Sequence, residues 1–388
     1  MEIIFRQIQK RIEKWLFQNK IIILYGARQV GKTTLAKIIL KKYKQKKSLY
    51  INCEDLDVQN LFAQKNIDKI KFFLGDANLI VLDEAQSIFD IGIILKLLHD
   101  KYPEIQIIAT GSSSFDLSGK INEPLTGRSL EFKIYPLSIQ EIAKQKNPLF
   151  IQSNIDKFLM YGMYPEIFEK NNKISEELVL DLAKKYLFKD VLLYAGIKNS
   201  NLIYKILKAL AYQIGNQISY PEIANLVGSN KNTVEKYIDI LEKSFVIFRL
   251  PAFCKNKRNE IKKSQKIYFY DIGIRNALIN NFGNLDLRND RGHIWENFII
   301  VEILKNHENN GIFSNFYFWR TYTQLEIDLI IEKNNFLSTF EIKINSQKKY
   351  KIPKYFKENY PNHSFDVINK ENFLEKIFPS SKLKCNFN

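Results

Sequence analysis

The sequence predicts an α/β protein built in three parts, and three observations carry the prediction. A glycine-framed loop at residues 26–33 follows a short apolar run and precedes a helical pattern, which is typical of a strand–loop–helix unit in a parallel sheet with flanking helices. A nearly unbroken apolar run at residues 78–84 ends in two acids, as a buried parallel strand does at its carboxyl end. Further along, a helix–turn–helix pattern precedes a last α/β segment that carries acids and a lysine on its strands.

Length and composition set the class of protein. At 388 residues, with 45% of them hydrophobic, the chain is long enough for two or three globular domains. The net charge of +16 favours an acidic partner such as nucleic acid, although a lysine-rich composition is also typical of an A/T-rich genome. We therefore count the charge as support only where basic residues cluster.

Cysteine usage and hydropathy predict a cytoplasmic protein. The cysteines are odd in number and far apart, so neither a disulfide framework nor a zinc site is expected. No stretch approaches the about eighteen apolar residues of a membrane span, and residues 1–14 mix charged with apolar residues instead of forming a signal peptide. The three cysteines are Cys53, Cys254 and Cys385. The histidines, which lack metal-ligand spacing, are His99, His293, His307 and His363.

The glycine-framed loop is typical of a phosphate-binding P-loop. Its backbone N–H groups would wrap a triphosphate at the positive amino end of the following helix. Lys32 would reach the β and γ phosphates, and the Thr33 hydroxyl would hold Mg²⁺. The alternative is an accidental glycine–lysine turn on the surface. The residues predicted to bind ATP are Gly26, Ala27, Arg28, Gln29, Val30, Gly31, Lys32, Thr33 and Thr34.

The two acids that close the apolar run are candidates for the metal and the attacking water. Asp83 would organise Mg²⁺ through its water shell, and Glu84 would orient and polarise the water that attacks the γ-phosphate. Taken alone, such a run is as often a strand that meets a solvated loop. Its place downstream of a P-loop favours the Walker B element of an ATPase.

Polar residues after the next apolar run, at residues 105–109, are candidate sensors of the γ-phosphate. Thr110 or Ser112 occupies that position, and an ordinary serine turn is the alternative. Gln86 could touch the attacking water or simply start a helix in an exposed place.

Arg128 is the candidate for neutralising transition-state charge, in its own chain or across a subunit interface. A structural salt bridge is the alternative, and Arg28 inside the loop competes for the same role. A predicted strand at residues 130–134 follows Arg128. A capping-box pattern from Ser138 to Glu141 then begins a helix.

Taken together, these motifs resemble those of a prokaryotic family of AAA+-like P-loop ATPases with a C-terminal domain of unknown function. The resemblance covers nearly the whole chain, and it implies a P-loop NTPase core, a winged helix and a restriction-endonuclease-like tail. The motifs that carry it are Gly26-Ala27-Arg28-Gln29-Val30-Gly31-Lys32-Thr33, Leu82-Asp83-Glu84-Ala85-Gln86, Thr110-Gly111-Ser112, Leu125-Thr126-Gly127-Arg128 and Tyr135-Pro136-Leu137-Ser138.

The middle of the chain is predicted to be helical and then to form a winged helix. A helical pattern over residues 150–199 is interrupted by a turn at residues 161–165. Ser219 begins a short helix, Gly228 turns the chain, and a longer helix with a basic early face runs to Lys243. A basic wing would follow and contact a DNA backbone, whereas a packing or oligomerisation module is the alternative. The wing residues are Lys255, Lys257, Arg258, Lys262 and Lys263.

The last part is predicted to gather acids and a lysine around one point. Asp328 lies on one strand, and Glu341 and Lys343 alternate on the next, so the three can share a face. Two carboxylates could hold Mg²⁺ while the lysine activates a water, which suits phosphodiester hydrolysis. Glu296, on a preceding helix, could add a third carboxylate. The set resembles the catalytic positions of the PD-(D/E)xK nuclease core, although the proline that names this motif is missing; a retained fold that only binds is the alternative.

The predicted domains are a P-loop ATPase core at 1–148, a helical lid or linker at 149–200, a winged helix at 201–275 and a nuclease-like domain at 276–388. The leading hypothesis is an ATPase that acts on DNA and gates the C-terminal nuclease-like site. The second is a nucleotide-dependent switch that binds DNA or a protein partner without cutting. A homo-oligomer is compatible with both, and no membrane partner is expected. Lysines that would suit a phosphate track or a solvated face are Lys348, Lys349, Lys351, Lys354 and Lys357.

Overall fold

The computed structural model describes residues 3–43, 45, 47–112, 125–186, 200–254, 265–345 and 349–378. These residues fall into two units. The first takes in the described residues up to Leu137, together with Tyr186 and residues 243–245. The second takes in the other described residues from Ser138 onward.

Parallel strands form the sheet of the first unit. They are β1 (Ile21–Tyr25), β2 (Ser48–Asn52), β3 (Leu79–Asp83), β4 (Gln106–Gly111) and β5 (Ser129–Lys133). The order across the sheet is β2-β3-β4-β1-β5, and every neighbouring pair is parallel. The central strands β1, β3 and β4 are apolar runs buried along their whole length, because both faces of a parallel sheet are covered. The predicted α/β core is confirmed.

Helices of the first unit follow the strands, and α2 contacts β2, β3 and β4. Asp55 and Asn66 cap α3 and α4 by accepting backbone N–H bonds. The first helix, α1, begins at Gln9, and residues 3–8 before it are not helical. The helices are α1 (Gln9–Lys14), α2 (Lys32–Lys42), α3 (Leu56–Ala63), α4 (Ile67–Leu74) and α5 (Ile91–Lys101).

Strand order brings the candidate ATP-site residues to one edge of this sheet. β4 lies between β1 and β3, and all three are parallel, so their carboxyl ends meet. The P-loop leaves β1 there, Asp83 ends β3, and Thr110 lies near the end of β4. Open parallel sheets bind ligands at this edge.

The second unit is richer in helices. Ser138 caps α6 in the predicted capping box: its Oγ accepts from the Glu141 N–H at 3.2 Å, and Glu141 Oε2 accepts from the Ser138 N–H at 3.0 Å. Within the ranges described, no helix combines the length and apolarity that crossing a bilayer requires. The helices are α6 (Ile139–Ala143), α7 (Pro148–Tyr161), α8 (Asn172–Tyr186), α9 (Ser200–Tyr212), α10 (Tyr220–Val227), α11 (Lys231–Lys243), α12 (Ile272–Leu278), α13 (Arg291–Asn310), α14 (Lys354–Asn359) and α15 (Phe373–Ile377).

A helix–turn–helix formed by α10 and α11 packs with a small antiparallel sheet. Ser219 caps α10 by accepting the Glu222 N–H, and Gly228 ends it at a φ of +68°, so the predicted short helix and turn are confirmed. The sheet has the order β6-β8-β7. Its strands are β6 (Gln217–Ile218), β7 (Ile247–Pro251) and β8 (Gln265–Phe269). The residues predicted to form the basic wing, between β7 and β8, lie outside the described residues.

The tail folds around a sheet of order β12-β11-β10-β9. β9, β10 and β11 are antiparallel neighbours, whereas β12 runs parallel to β11 after α14. Phe253, from the residues after β7, packs in one buried cluster with Trp319, Ile327 and Phe356 of the tail. The strands are β9 (Asn315–Arg320), β10 (Glu326–Lys333), β11 (Phe336–Ile342) and β12 (His363–Ile368).

The helical segment after the core packs within the second unit. Asn276 of α12 donates to the Leu159 and Met160 carbonyls of α7 at 3.0 and 2.9 Å, and Asp271 accepts the Met163 N–H at 2.8 Å. These buried bonds and the Phe253 cluster join the segments on both sides of residues 200 and 275 within the second unit. The domain borders at residues 148, 200 and 275 stay a prediction.

Candidate functional site

The P-loop leaves β1 at a glycine that no other residue can replace. A Cβ at Gly26 would lie 2.1 Å from the backbone oxygen of Ile134, and the Ile134 N–H donates to the Tyr25 carbonyl at 2.6 Å. The opposing segment is therefore fixed backbone that cannot move aside. This close approach explains the first glycine of the motif.

The loop ends at Gly31, where φ is +96°, and α2 begins at the next residue. The N–H groups of the first helical turn therefore lie at the loop, at the positive end of the helix dipole. Lys32 Nζ donates to the carbonyls of Gly26 and Ala27 at 2.8 Å each. The buried ammonium thus lies inside the loop, where it would meet a bound phosphate.

Arg6 holds the P-loop through its backbone, a role that we did not predict from the sequence. Its guanidinium is buried and donates at 2.6 Å to the carbonyls of Val30 and Tyr135. A buried arginine in fork geometry holds two backbone segments at once. The only signal in the sequence is a charged residue in an apolar stretch.

Asp83 is held by three hydroxyl groups. Thr33 Oγ1 lies 2.9 Å from both Asp83 oxygens, Thr110 Oγ1 donates to Oδ1 at 2.6 Å, and Tyr50 OH donates to Oδ2 at 2.6 Å. Burial and the Asp83 carboxylate raise the pKa of Tyr50, so its phenol stays a donor. The hydroxyl and carboxylate oxygens of Thr33 and Asp83 are the hard donors that Mg²⁺ prefers, so this pair fits the ion.

Glu84 adopts a left-handed conformation with a φ of +52°, which turns the chain away from β3. Its N–H donates to Thr110 Oγ1 at 3.0 Å, and its carboxylate accepts from Gln86 Nε2 at 2.5 Å. Gln86 is buried, and its Nε2 also lies 3.4 Å from Ser112 Oγ. The structure therefore joins Glu84 to both candidate sensor residues, and Gln86 is not the exposed helix start that was the alternative.

Arg128 lies at the amino ends of the parallel strands, whereas the P-loop lies at their carboxyl ends. Its carbonyl accepts the N–H of Ile21, where β1 begins, and its guanidinium binds Asp100 through Nε at 2.7 Å and Nη2 at 3.0 Å. Five residues of strand span about 16 Å, so Arg128 does not reach a γ-phosphate on the loop of its own chain. The salt-bridge alternative describes its contacts, and a role across a subunit interface stays a prediction. Arg28, half-buried in the loop, stays the candidate within the chain.

We expect Gly26→Ala to destabilise the first unit by about 2–4 kcal/mol, because its added Cβ overlaps fixed backbone. Urea denaturation followed by circular dichroism measures the loss. Gly292→Ala is the matched control, since nothing lies within 4 Å of its added Cβ. An unchanged midpoint for Gly26→Ala would contradict the proposed close approach.

In the tail, Asp328, Glu341 and Lys343 come together as predicted. Lys343 Nζ lies 3.0 Å from Asp328 Oδ2 and 2.9 Å from Glu341 Oε1. Leu329 pairs with Phe340 across β10 and β11, so the next pair places Asp328 opposite Glu341 on one face. Burial lowers the pKa of Lys343, but the two carboxylates outweigh it and raise the pKa overall. Burial, and then Asp328, raise the pKa of Glu341.

A strand irregularity coincides with Asp328. The register between β9 and β10 shifts between Ile327 and Ile330, as at a β-bulge. The Asp328 carboxylate is buried and accepts the Ile342 N–H at 2.7 Å. The register shift changes the direction of the side chains around Asp328.

Glu296 belongs to a neighbouring buried network. Its Oε1 accepts from Lys266 Nζ at 3.0 Å and from Tyr268 OH at 2.5 Å, and Lys266 Nζ also lies 2.5 Å from Glu326 Oε1. Lys266 and Tyr268 alternate on β8 and so share a face. We did not predict either; a lysine inside an apolar strand was the available signal.

The tail brings two carboxylates, those of Asp328 and Glu341, to the same lysine. In the ranges that the structure describes, no group of three or more histidine, cysteine, aspartate or glutamate side chains is arranged to hold a metal ion. Lys343 pairs with both Asp328 and Glu341, and Lys266 pairs with Glu296. The role of Glu296 as a third carboxylate ligand stays a prediction.

The free energy of unfolding should fall as pH rises, because the buried Glu296 carboxyl loses its proton. Burial raises its pKa from 4.5 to about 7, with Lys266 opposing the rise and Asp328 adding to it. The folded state then binds the proton more tightly than the unfolded state, so this stabilisation is complete below pH 4.5 and lost as pH rises through about 7. The expected slope reaches about 1.4 kcal/mol per pH unit. Urea denaturation between pH 5 and 8 should show the slope in the wild type but not in Glu296→Gln, with exposed Glu358→Gln as control; equal slopes would contradict it.

Exposed basic residues lie on the helix–turn–helix and on the tail. Lys231, Asn232 and Lys236 are exposed on α11, and Thr233 is half-buried. On the tail, Lys348 lies outside the described residues, and the exposed lysines are Lys349, Lys351, Lys354 and Lys357.

Comparison with protein-family models divides the chain into three matches. Residues 18–143 match a model described as an AAA domain. Residues 152–285 match a domain of unknown function (DUF8612), and residues 291–379 match another domain of unknown function (DUF4143).

Similar proteins are known from archaea and bacteria. An uncharacterized protein of Methanocaldococcus jannaschii is 27% identical over 383 residues, which cover 93% of this chain and 83% of the relative. An uncharacterized protein of Mycobacterium tuberculosis is 27% identical over 347 residues, which cover 88% of this chain and 74% of the relative.

Among solved structures, AMPPCP-bound DnaA from Aquifex aeolicus is similar at 17% identity and a TM-score of 0.27, over 61% of this chain and 86% of that chain. A TM-score this low carries no argument about this chain. From the family models, the chain carries an AAA-type, P-loop ATPase-like domain followed by two domains of unknown function.

Proposed function

We propose that this protein binds ATP with Mg²⁺, hydrolyses it at the N-terminal site and uses the cycle to act on DNA. The observation that carries the proposal is the meeting of the P-loop with Asp83 and Glu84 at the carboxyl edge of the sheet. At that edge lie the P-loop, the oxygen donors of Thr33 and Asp83, and the carboxylate of Glu84.

In the proposed reaction, Lys32 and the loop N–H groups bind the phosphates and neutralise the charge that grows on them. Thr33 and Asp83 would hold Mg²⁺, which supplies further neutralisation. Glu84 orients and polarises the attacking water, whose oxygen bonds to the γ-phosphorus as the bond to the ADP oxygen breaks. Gln86, bonded to the Glu84 carboxylate, fixes its orientation.

Thr110 is the proposed sensor of the bound nucleotide. Its hydroxyl donates to Asp83 and accepts from the Glu84 N–H, so it joins β4 to both acids. A change in coordination at Asp83 would therefore be transmitted to β4 through a single side chain.

Contact with DNA is proposed for the second unit. Support comes from the helix–turn–helix beside a three-stranded antiparallel sheet, which is the arrangement of a winged helix, and from exposed Lys231 and Lys236 on its second helix. The net charge of +16 adds favourable attraction to a phosphate backbone.

Metal-dependent cleavage is proposed for the tail. The order of a helix, three antiparallel strands, a helix and a parallel strand supports a PD-(D/E)xK-like core. Asp328 and Glu341 would hold the ion, and Lys343 would stabilise or activate the water that attacks the phosphodiester.

A second candidate function is a nucleotide-dependent switch that binds DNA or a protein partner without cutting. The observation in its favour is that Lys343 is ion-paired to both acids while Glu296 is paired to Lys266. A site with its carboxylates paired internally can persist as a stable fold without catalysis.

Lys32→Ala tests the ATPase. We expect ATP hydrolysis to fall by about 10²–10³-fold, because the charge on the transferred phosphoryl group loses its ammonium partner. Phosphate release measures the rate, and Lys41→Ala, an exposed lysine on the same helix, is the matched control. Equal rates for Lys32→Ala and the wild type would refute hydrolysis at this loop.

A further inference from the structure

The C-terminal site is built from two sequence domains. Asp328, Glu341 and Glu296 lie within the match at residues 291–379, but Lys266 lies within the preceding match at residues 152–285. Both segments belong to the second unit. A strand of the small antiparallel sheet therefore delivers a charged group to the acids of the tail.

Lys266 is almost fully buried, with a side-chain exposure of 3%. Its ammonium contacts Glu296 Oε1 and Glu326 Oε1, and it lies 5.5 Å from the ring centre of Phe318. Burial lowers the pKa of Lys266, yet Glu296, Glu326 and Asp328 together raise it, so the group stays charged. A buried ammonium is stable in such a place because the two carboxylates pair with it.

Charge balance limits how many metal ions the cluster accepts. With all groups ionised, four acids face three bases, which leaves a net charge of −1. One divalent ion would bring the cluster to +1, whereas two would bring it to +3 beside Lys266, Glu296 and Asp328, which are almost fully buried, and this is unfavourable. The groups are Glu296, Glu326, Asp328, Glu341, Lys266, Lys343 and, at the rim, Arg320.

We propose that the Lys266 ammonium is a fixed cation of the C-terminal site and takes the place of a second divalent ion. The site therefore accepts one divalent ion, at Asp328 and Glu341, and it is complete only when β8 supplies Lys266. Lys266 acts as a positioning residue, because it holds Glu296 and Glu326 and not the reacting atoms. This inference rests on the metal-binding role proposed above for Asp328 and Glu341.

The test counts bound Mn²⁺ from the loss of the free-ion signal in electron paramagnetic resonance. It uses the full chain at pH 8 without nucleotide, in a Thr33→Ala background so that the N-terminal site is not counted. Three proteins are compared: the Thr33→Ala protein and the same protein with Lys266→Met or with Lys266→Arg. We expect one bound ion in the Thr33→Ala protein and in the Lys266→Arg variant, because both keep the positive charge. We expect two in the Lys266→Met variant, because removal of the charge frees Glu296 and Glu326 to bind a second ion. Asp328→Asn should remove the single ion. Circular dichroism checks folding, and Lys266→Gln replaces Lys266→Met if the latter does not fold.

Each outcome decides a point. One ion with and without Lys266 would overturn the inference and leave the proposed metal site standing, and two ions in the background protein would also overturn it. If the background protein bound no ion and the Lys266→Met variant bound one, the result would support Lys266 as a fixed cation. It would also refute the proposed metal site at Asp328 and Glu341. No ion in either protein would refute both.

Discussion

Glu84→Gln should give a protein that still binds ATP but hydrolyses it about 10²–10⁴-fold more slowly. Glutamine keeps the shape of the side chain and tolerates the left-handed backbone equally, so the Walker B turn should persist. What is lost is the negative charge that polarises the attacking water. Phosphate release at saturating ATP measures turnover, and a fluorescent ATP analogue measures binding.

Glu54→Gln is the matched control for this change. Glu54 is exposed and lies in the same unit, so its substitution should leave turnover unchanged. Unchanged turnover in Glu84→Gln would place the catalytic base elsewhere. If binding and turnover were lost together, the role of Glu84 would be structural, through its bonds to Gln86 and Thr110.

Asp328→Asn should reduce cleavage of DNA in Mg²⁺ or Mn²⁺ by about 10³-fold, because a metal ligand is worth several kcal/mol of transition-state stabilisation. ATP hydrolysis in the absence of DNA should not change, since the N-terminal site does not use this residue. Gel assays of cleavage alongside phosphate release measure the two activities on one preparation.

Asp366→Asn on β12 is the matched control, since Asp366 is partly exposed and pairs only with Lys376 among the ion pairs described. Cleavage that persists in Asp328→Asn would mean that the tail does not cut through this site. Absence of cleavage from the wild type as well would favour the binding switch.

The local structure around the N-terminal site could be predicted because its signals are local. Residues 21–25 form a continuous apolar run, and β1 spans this run. The capping box at Ser138 likewise depends on neighbours three residues apart. Such patterns require no knowledge of the tertiary fold.

The features that the sequence did not indicate are contacts between distant residues. Arg128 follows a loop motif in the sequence, but parallel pairing of β5 with β1 sends it to the edge away from the phosphates. Arg6 and Lys266 support their sites from segments far away in the chain, so no local pattern indicates them. The buried contacts of Asn276 and Phe253, which join the middle segments to one another and to the tail, likewise have no local signal in the sequence.

The central claim, that nucleotide at the P-loop controls what the second unit does to DNA, is tested most directly by one paired measurement. ATP hydrolysis with and without DNA is recorded beside cleavage of circular, linear and branched DNA in Mg²⁺ or Mn²⁺, with Lys32→Ala and Asp328→Asn for comparison. We expect DNA to change the rate of hydrolysis, and cleavage to require Asp328 and to change with nucleotide or with Lys32→Ala. Hydrolysis that is indifferent to DNA, together with cleavage that is indifferent to nucleotide and to Lys32→Ala, would contradict the account.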